Sequence, residues 1–218
     1  MSNGNKMPLT QINPNIFNCN LCETRCDGKT VAQFNFENDV RFSENIENEV
    51  INRINNQYIH LNASKSVQHG YPDIVVKNNQ GNTVFFIEIK GQARTFMSIQ
   101  KILPNSFLVP SETLACNLSD LERYFVVKEK EKVPLFITWC LMRRPCIVGL
   151  DPKNTKFFSQ EIDILKKIRL SDTNDTRRFR RASGTGDVVN GQHKGVVVNY
   201  HFSINEFKEG LPDFSTIV

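Results

Sequence analysis

The chain has 218 residues, of which 39% are hydrophobic, and sixteen of these are Phe. This length fits one large domain, or a core with a small appendage, and the apolar content is sufficient for a real core. A mean hydropathy of −0.36 and the lack of an apolar run of about 18 residues argue against a membrane span. The net charge of +4 permits nucleic-acid binding but does not require it.

The start of the chain differs in character from the rest. The first ten residues are polar and rich in Asn, with no apolar signal region, so we expect a cytoplasmic protein with reduced cysteines. Residues 1–40 look irregular, and we expect them to be an N-terminal extension that carries a cysteine group. We expect residues 41–218 to form the main domain.

The cysteine group of the extension has the spacing of half a zinc site. Cys19 and Cys22 form a Cys-x-x-Cys pair, which suits one edge of a tetrahedral zinc ion, and Cys26 offers a third ligand. The fourth ligand could be Cys116 or a His, and no second Cys-x-x-Cys pair is present. Structural zinc, an iron–sulfur cluster and plain reduced thiols all stay open. Cys140, in a predicted core strand, is expected to be a buried thiol.

An amphipathic helix is predicted from Ser43 onward. Ile46, Val50 and Ile54 recur at helical spacing, and the acidic residue Glu47 suits the first turn. This pattern indicates that one stripe of the helix packs against the core.

A β-hairpin is predicted just before the middle of the chain. Two runs of β-branched and aromatic residues, 74–77 and 83–90, flank an Asn- and Gly-rich turn. Because side chains alternate along a strand, Glu88 and Lys90 point to one face, and the hairpin brings Asp73 beside them. Such buried charges must pair or hold a metal, and a hard cation such as Mg²⁺ is the natural partner. The alternative is a surface hairpin with a solvated Glu88–Lys90 ion pair.

This arrangement resembles the signature of the PD-(D/E)XK nuclease superfamily. The matching residues are Pro72 and Asp73, followed by Glu88, Ile89 and Lys90, and the resemblance covers about residues 40 to 100. The superfamily includes many type II restriction endonucleases, junction resolvases and DNA repair nucleases. The resemblance implies a restriction-endonuclease-like core of α/β (α+β) class, with a central mixed β-sheet flanked by helices. An acidic helix should precede the hairpin, and a helix–strand unit should follow it.

The resemblance also implies roles for the hairpin residues. Asp73 and Glu88 would bind one or two Mg²⁺ ions, and Ile89 would lend its backbone carbonyl. Lys90 would orient the attacking water, help to deprotonate it, or stabilise charge on the phosphate. The implied reaction is hydrolysis of a phosphodiester by in-line attack of a metal-activated water.

Two further positions are candidates for the same site. Many relatives add an acidic residue from the first helix, and we rank Glu49, at the edge of the apolar stripe, ahead of Glu47. Gln92 shares the strand face of Glu88 if the strand continues through Gly91. Some relatives have a Gln two places past the lysine, so the resemblance implies that Gln92 contacts the water or the scissile phosphate.

Basic residues are concentrated near the C-terminus, where we predict a loop at 171–195 that becomes ordered on DNA. The residues expected to contact DNA are Arg177, Arg178, Arg180, Arg181, Gln192, His193 and Lys194. Arg suits phosphate and guanine contacts, and Gln suits adenine. The alternative is a solvated, flexible basic loop.

Four further elements are predicted in this half of the chain. Residues 133–142 should form a strong strand, and 146–150 should return as its partner strand. Ser159 should cap a helix that starts at Gln160, and 196–202 should form the last strand.

The sequence therefore predicts a Mg²⁺-dependent DNA endonuclease. Its size and single-domain character are most like a type II restriction endonuclease that acts on double-stranded DNA as a homodimer, because two-fold symmetry suits a palindromic site. One alternative is a structure-specific junction resolvase or repair nuclease. Another is a non-catalytic nucleic-acid-binding protein that retains a relic of the nuclease site.

Overall fold

The computed structural model describes residues 36–92, 95–142, 144–149, 151, 153–182, 188–189, 192–193 and 195–214. The helices are α1 (Phe36–Gln57), α2 (Ile99–Ile102), α3 (Leu118–Glu131), α4 (Pro145–Val148) and α5 (Ile162–Ser171). The strands are β1 (Leu61–Lys65), β2 (Ile74–Asn78), β3 (Thr83–Gln92), β4 (Thr113–Asn117), β5 (Leu135–Met142), β6 (Thr155–Glu161), β7 (Arg178–Ala182), β8 (Val188–Val189), β9 (Gln192–His193), β10 (Val196–Ser203) and β11 (Lys208–Glu209). None of the described helices combines the length and the apolar character that crossing a membrane would require.

A six-stranded mixed sheet forms the centre of the fold. Its strand order is β1-β2-β3-β5-β6-β11. Strands β3 and β5 run parallel, and the other neighbours are antiparallel. A parallel pair needs a long crossover, and here the connection contains α2, β4 and α3. The fold class expected from the sequence, a mixed sheet flanked by helices, is therefore confirmed.

The alternation of side chains along β3 divides the core into two layers. Phe85, Ile87 and Ile89 are buried on one face, together with the α1 residues Ile46, Val50 and Ile54. The opposite face presents Phe86 to a second cluster that includes side chains from α3, α5, β4 and β10. Glu88 and Lys90 follow Phe86 on this second face, since they lie two and four residues beyond it.

The predicted hairpin is formed by β2 and β3. The side-chain oxygen of Asn78 accepts hydrogen bonds from the backbone of Gln80 and Asn82 at 3.1 and 3.0 Å, which closes the turn. In the ladder Ile74 pairs with Ile87. This register places Asp73 at the level of Glu88, at the end of the hairpin away from the turn.

The prediction of a loop at 171–195 is wrong in part, because this segment contains strand β7. This strand pairs antiparallel with β10 at the edge of a three-stranded sheet of order β4-β10-β7. Phe179 packs against a small cluster formed by Ile99, Leu103 and Leu108. One apolar anchor among arginines does not give a period-two pattern, so the sequence did not indicate the strand.

Three other predicted elements need correction. Residues 145–148 form the short helix α4, so the strand predicted at 146–150 is wrong, and the antiparallel partner of β5 is β6. Ser159 does not cap a helix, because it lies in β6. Its hydroxyl forms a hydrogen bond of 2.9 Å with the hydroxyl of Thr138 and donates to the carbonyl of Gly210 at 2.7 Å. The following helix, α5, therefore begins at Ile162. The first helix begins at Phe36, before the predicted start at Ser43.

Candidate active site

Asp73 is held against the strand that carries the other hairpin residues of the site. Its Oδ2 atom accepts a hydrogen bond of 2.8 Å from the backbone N–H of Ile89. The residue lies just before β2, where the hairpin register brings it to the level of Glu88. The two carboxylates are therefore brought together by backbone geometry, as the sequence predicts.

The electrostatic surroundings of Asp73 oppose its ionisation. Burial raises the pKa of Asp73 to about 7, and the charges of Glu88 and Glu47 act in the same direction. The hydrogen bond from Ile89 and the ammonium of Lys90 act against this rise but do not cancel it. The site thus has more negative charge than its own cations neutralise, which favours the binding of a proton or a metal ion.

Glu88 is buried, with only 3% of its surface exposed. Its Oε1 atom lies 2.5 Å from Nζ of Lys90. Its Oε2 atom has no hydrogen-bond partner among the described residues. A buried carboxylate oxygen without a partner is costly, so its presence at this position suggests a ligand role.

Lys90 stays protonated in this environment. Burial lowers the pKa of Lys90, but the adjacent carboxylates of Glu88 and Asp120 more than compensate, and the net pKa lies above its ordinary value. About a quarter of the side chain is exposed. The ammonium can therefore orient water or stabilise phosphate charge, whereas the deprotonation of water by Lys90 is disfavoured.

The donor set fits a hard divalent cation. Among the described residues, no three side chains of His, Cys, Asp or Glu are grouped as a metal-binding cluster. Mg²⁺, however, commonly binds through one or two carboxylates and keeps several waters. Asp73 and the unpaired Oε2 of Glu88 supply two carboxylates of this kind. The role of the Ile89 carbonyl as a further ligand stays a prediction.

The first helix presents Glu47, rather than Glu49, to this site. Glu47 is close enough to Asp73 to raise its pKa, and only 15% of its side chain is exposed, with Lys65 at 3.0 Å. Glu49 is 45% exposed and pairs with Arg53 one turn along the helix. The two acids flank the buried stripe on opposite sides, and tertiary packing turns the Glu47 side toward the hairpin. Glu47 therefore lies nearer to Asp73 than the sequence-based ranking expects, and the part that either acid takes in catalysis stays a prediction.

Gln92 lies on β3, which continues through Gly91 as the prediction required. Its amide, however, connects two sheets. Nε2 donates to the carbonyl of Thr113 at 3.0 Å, and Oε1 accepts from the N–H of Ala115 at 3.2 Å. Both ends of the amide thus hold β4 beside β3, a structural position that differs from the water or phosphate contact expected from the sequence.

Three side chains of α3 adjoin the site and were missed by the sequence analysis. Asp120 Oδ2 lies 3.8 Å from Lys90 Nζ, and Oδ1 lies 2.9 Å from Nη2 of Arg123. Tyr124 is buried, its ring is 5.9 Å from Lys90 Nζ, and its pKa is raised by burial and further by Glu88. The predicted helix–strand unit after the hairpin was the available signal, since such a helix covers one face of β3.

The residues predicted to contact DNA are divided by the structure. Arg177 is tied to the fold, because its Nη1 lies 2.7 Å from the carboxylate of Glu206 and its carbonyl accepts from the N–H of His201 at 3.1 Å. Arg178 forms an exposed ion pair of 3.1 Å with Asp175. Only the second of these two arginines is placed to exchange its partner for phosphate at small cost.

The remaining basic candidates lie farther along the chain. Arg180 and Arg181 are exposed on β7. Gln192 and His193 belong to β9, which pairs with β8, and Lys194 lies outside the described residues. β7 is two strands from β4, or about 10 Å. Contacts between these residues and DNA stay predictions.

The cysteine group, Cys19, Cys22 and Cys26, also lies outside the described residues, so zinc binding there stays a prediction. Cys116, a suggested fourth ligand, is buried in the core, and burial raises the pKa of its thiol to about 12. Zinc requires a thiolate, so this environment does not favour Cys116 as a ligand. Cys140 is 1% exposed, which confirms the predicted buried thiol.

Comparison with known proteins gives a similarity to a solved structure. No protein-family model and no curated protein matches the chain. Among solved structures, it is similar to Hjc, a Holliday junction resolvase from the archaeal hyperthermophile Archaeoglobus fulgidus. The TM-score is 0.35 and the sequence identity 12%, with 56% of this chain and 74% of the other covered. A similarity of this size does not assign a function to the chain.

Replacing Asp73 with Asn should stabilise the metal-free protein in a pH-dependent way. A carboxyl with a pKa of 3.8 when unfolded and about 7 when folded costs stability as pH rises between these values, because only the folded state keeps the proton. Asn keeps an oxygen for the Ile89 N–H but carries no charge. The gain should be on the order of a few kcal/mol near pH 8 and close to zero near pH 4. Urea denaturation in EDTA measures it, and an equal gain at both pH values would contradict the assignment.

Replacing Arg177 with Ala should destabilise the fold, whereas the neighbouring change Arg178→Ala should not. Arg177 loses a charged hydrogen bond to Glu206 in a largely buried position, at a cost of about 1–3 kcal/mol. The ion pair of Arg178 is exposed, so its loss should cost less than about 0.5 kcal/mol. Urea denaturation of both variants makes the comparison. Equal stabilities would show that the Arg177–Glu206 pair contributes nothing to the fold.

Proposed function

We propose that this protein is a metal-dependent nuclease that hydrolyses phosphodiester bonds. The observation that carries the proposal is the convergence of Asp73 and Glu88 beside a protonated lysine. Both carboxylates are largely removed from water. Asp73 has a raised pKa, and Glu88 keeps a buried oxygen that no described residue hydrogen-bonds. Such an arrangement is unfavourable for stability alone, and it matches the needs of metal-assisted phosphate chemistry.

The side chains have distinct parts in the proposed reaction. A divalent cation held by Asp73 and Glu88, with the Ile89 carbonyl as the resemblance implies, would lower the pKa of a water molecule and neutralise phosphate charge. Lys90, which stays protonated, orients the attacking water and stabilises the negative charge that develops on the phosphate oxygens. Glu88 holds the Lys90 ammonium through its Oε1 atom. The Ile89 N–H fixes Asp73.

Glu47 is the proposed third acidic residue. Its charge already acts on Asp73, and it is shielded from solvent more than Glu49 is. In the absence of a metal ion, Lys65 neutralises part of its charge. We assign to Glu47 the role that the resemblance gives to an acid of the first helix.

DNA is the proposed substrate, and the enzyme could recognise its target in two ways, by base sequence or by DNA shape. A type II restriction endonuclease would read a base sequence and cut both strands as a homodimer. A junction resolvase would read the shape of branched DNA. The site chemistry is the same for both, and the exposed arginines of β7 suit phosphate contacts in either case. Because Hjc is a Holliday junction resolvase, a four-way junction belongs in the assay beside linear duplexes.

Replacing Asp73, Glu88 or Lys90 with Ala should abolish cleavage without unfolding the protein. Each change removes a metal ligand or the ammonium, which should cost several kcal/mol of transition-state stabilisation, or about a thousandfold in rate. The assay follows single-turnover cleavage of plasmid, linear duplex and four-way junction DNA in Mg²⁺. The matched control is Lys77→Ala, an exposed charge near the turn of the same hairpin.

The outcomes of this assay separate the candidate functions. Discrete, reproducible fragments indicate a sequence-specific endonuclease, and preference for the junction indicates a resolvase. DNA binding without any metal-dependent nicking by the wild type supports the non-catalytic alternative. Full activity of Asp73→Ala would contradict the metal-site assignment.

Replacing Glu47 with Gln should slow cleavage about tenfold or more, whereas Glu49→Gln should leave it near the wild-type rate. Glu47 acts directly on Asp73, and mutations of supporting residues at metal sites usually cost 10- to 100-fold in affinity or activity. Glu49 is exposed and paired with Arg53. Single-turnover rates across a Mg²⁺ titration test the order. A larger effect of Glu49→Gln would return that residue to the site.

A further inference from the structure

Arg123 lies on the side of α3 that adjoins the site, and nothing in the proposed chemistry yet uses it. Its Nη2 atom lies 2.9 Å from Oδ1 of Asp120, whose Oδ2 is 3.8 Å from Lys90 Nζ. One carboxylate therefore contacts both cations. This shared partner places the guanidinium beside the ammonium that the proposed reaction uses.

Two further contacts fix the position of the Arg123 side chain. Its guanidinium lies over the ring of Tyr124, with 5.1 Å from Cζ to the ring centroid, and Nη2 donates to the Tyr124 hydroxyl at 3.3 Å. Its aliphatic stem passes Gly70, where an added Cβ would meet Cδ at 3.4 Å. Gly70 belongs to the segment that leads into Asp73, so Arg123 spans the gap between α3 and that segment.

The guanidinium nevertheless keeps donors for another group. Within the described part of the chain, the hydrogen bonds and ion pairs of Arg123 use only Nη2. The side chain is 43% exposed. A guanidinium has five N–H donors in a flat fork that matches two oxygens of a phosphate. Its Nη1 and Nε groups are thus available to an anion that approaches the site.

We infer that Arg123 binds a phosphate of the nucleic-acid backbone next to the reacting one, and that Asp120 and Tyr124 position it. This inference rests on the proposed nuclease function, and it names a substrate contact of the same site. The contact gives the site a point of attachment outside the reacting atoms, so that binding energy from a neighbouring phosphate aligns the scissile bond.

A purely structural role suits Arg123 less well than Arg177. The Arg177 ion pair is largely buried, with about a fifth of each side chain exposed, whereas Arg123 is exposed to twice that extent. Because the Arg123–Asp120 ion pair is exposed, it contributes little to stability. Arg123 can therefore bind phosphate while it keeps its contact with Asp120. Lys130 lies two turns farther along α3, about 10 Å away. Lys130 is 64% exposed and donates to the Tyr71 hydroxyl at 2.8 Å. It therefore places a further cation on α3, beyond Arg123.

Removal of single phosphate charges tests the contact directly. The wild type, Arg123→Ala, Arg123→Lys and the control Lys77→Ala are titrated in Ca²⁺ with a labelled linear duplex and a labelled four-way junction. One methylphosphonate at a time replaces a phosphate, and each position of the DNA is tested in turn. Thermal melting confirms that each variant is folded.

The expected result is that removing Arg123 and removing one phosphate charge weaken DNA binding through the same contact. Arg123→Ala should bind unmodified DNA about tenfold more weakly, with a salt dependence smaller by about one phosphate contact. Arg123→Lys should recover part of this loss, and Lys77→Ala should bind as the wild type does. A methylphosphonate at one position should weaken the wild type about tenfold but leave Arg123→Ala unchanged, since the contact is already absent.

Other results overturn the inference. If every methylphosphonate weakens Arg123→Ala as much as the wild type, or if Arg123→Ala binds normally, then Arg123 does not contact phosphate. In both cases wild-type cleavage still measures the proposed function separately. Binding with the predicted coupling but no cleavage by the wild type would leave the phosphate contact standing and reject the nuclease. A wild type that does not bind DNA would reject both.

Discussion

The register between β2 and β3 is the constraint on which the site depends. Pairing of Ile74 with Ile87 aligns Asp73 with Glu88, and the Ile89 N–H then fixes the Asp73 carboxylate at 2.8 Å. A slip of one residue would exchange the two faces of the strand and would bury the charges among the α1 side chains. The apolar residues on both sides of β3 prevent such a slip, because both faces are covered. The hydrophobic core thus specifies the positions of the charges.

The charge balance at the end of the hairpin explains why these residues are unfavourable for the fold and useful for chemistry. Two carboxylates lie in a largely buried place, and the ammonium of Lys90 interacts closely with only one of them. Desolvation, followed by repulsion from Glu88, raises the pKa of Asp73, while the neighbouring carboxylates keep Lys90 charged. A divalent cation would offset this repulsion, so that the part of the molecule least favourable for folding is the part best suited to bind one.

The basic side chains show that exposure and partners, more than residue type, decide what an arginine does. Arg177, which directly precedes β7, is held by Glu206 in a largely buried position and stabilises the pairing of β7 with β10. Arg123 has an exposed guanidinium that is only partly used. Both would count equally in a sum of charges. Their surroundings separate a structural role from a substrate contact, because a buried pair cannot release its partner cheaply.

The hairpin, the convergence of Asp73, Glu88 and Lys90, and the class of the fold could all be predicted from the amino-acid sequence. These features depend on local alternation and on a turn between nearby strands, and such short-range patterns are visible in the order of residues. The position of Glu47, rather than Glu49, toward Asp73 could not be predicted, since both acids flank the same apolar stripe and the difference depends on how α1 lies on the sheet. The same holds for strand β7, whose partner β10 lies beyond an intervening segment, and for Asp120, Arg123 and Tyr124, which adjoin the site only because α3 packs on that face of β3. Long-range packing leaves no periodic trace in the chain, and for that reason these parts of the site required the structure.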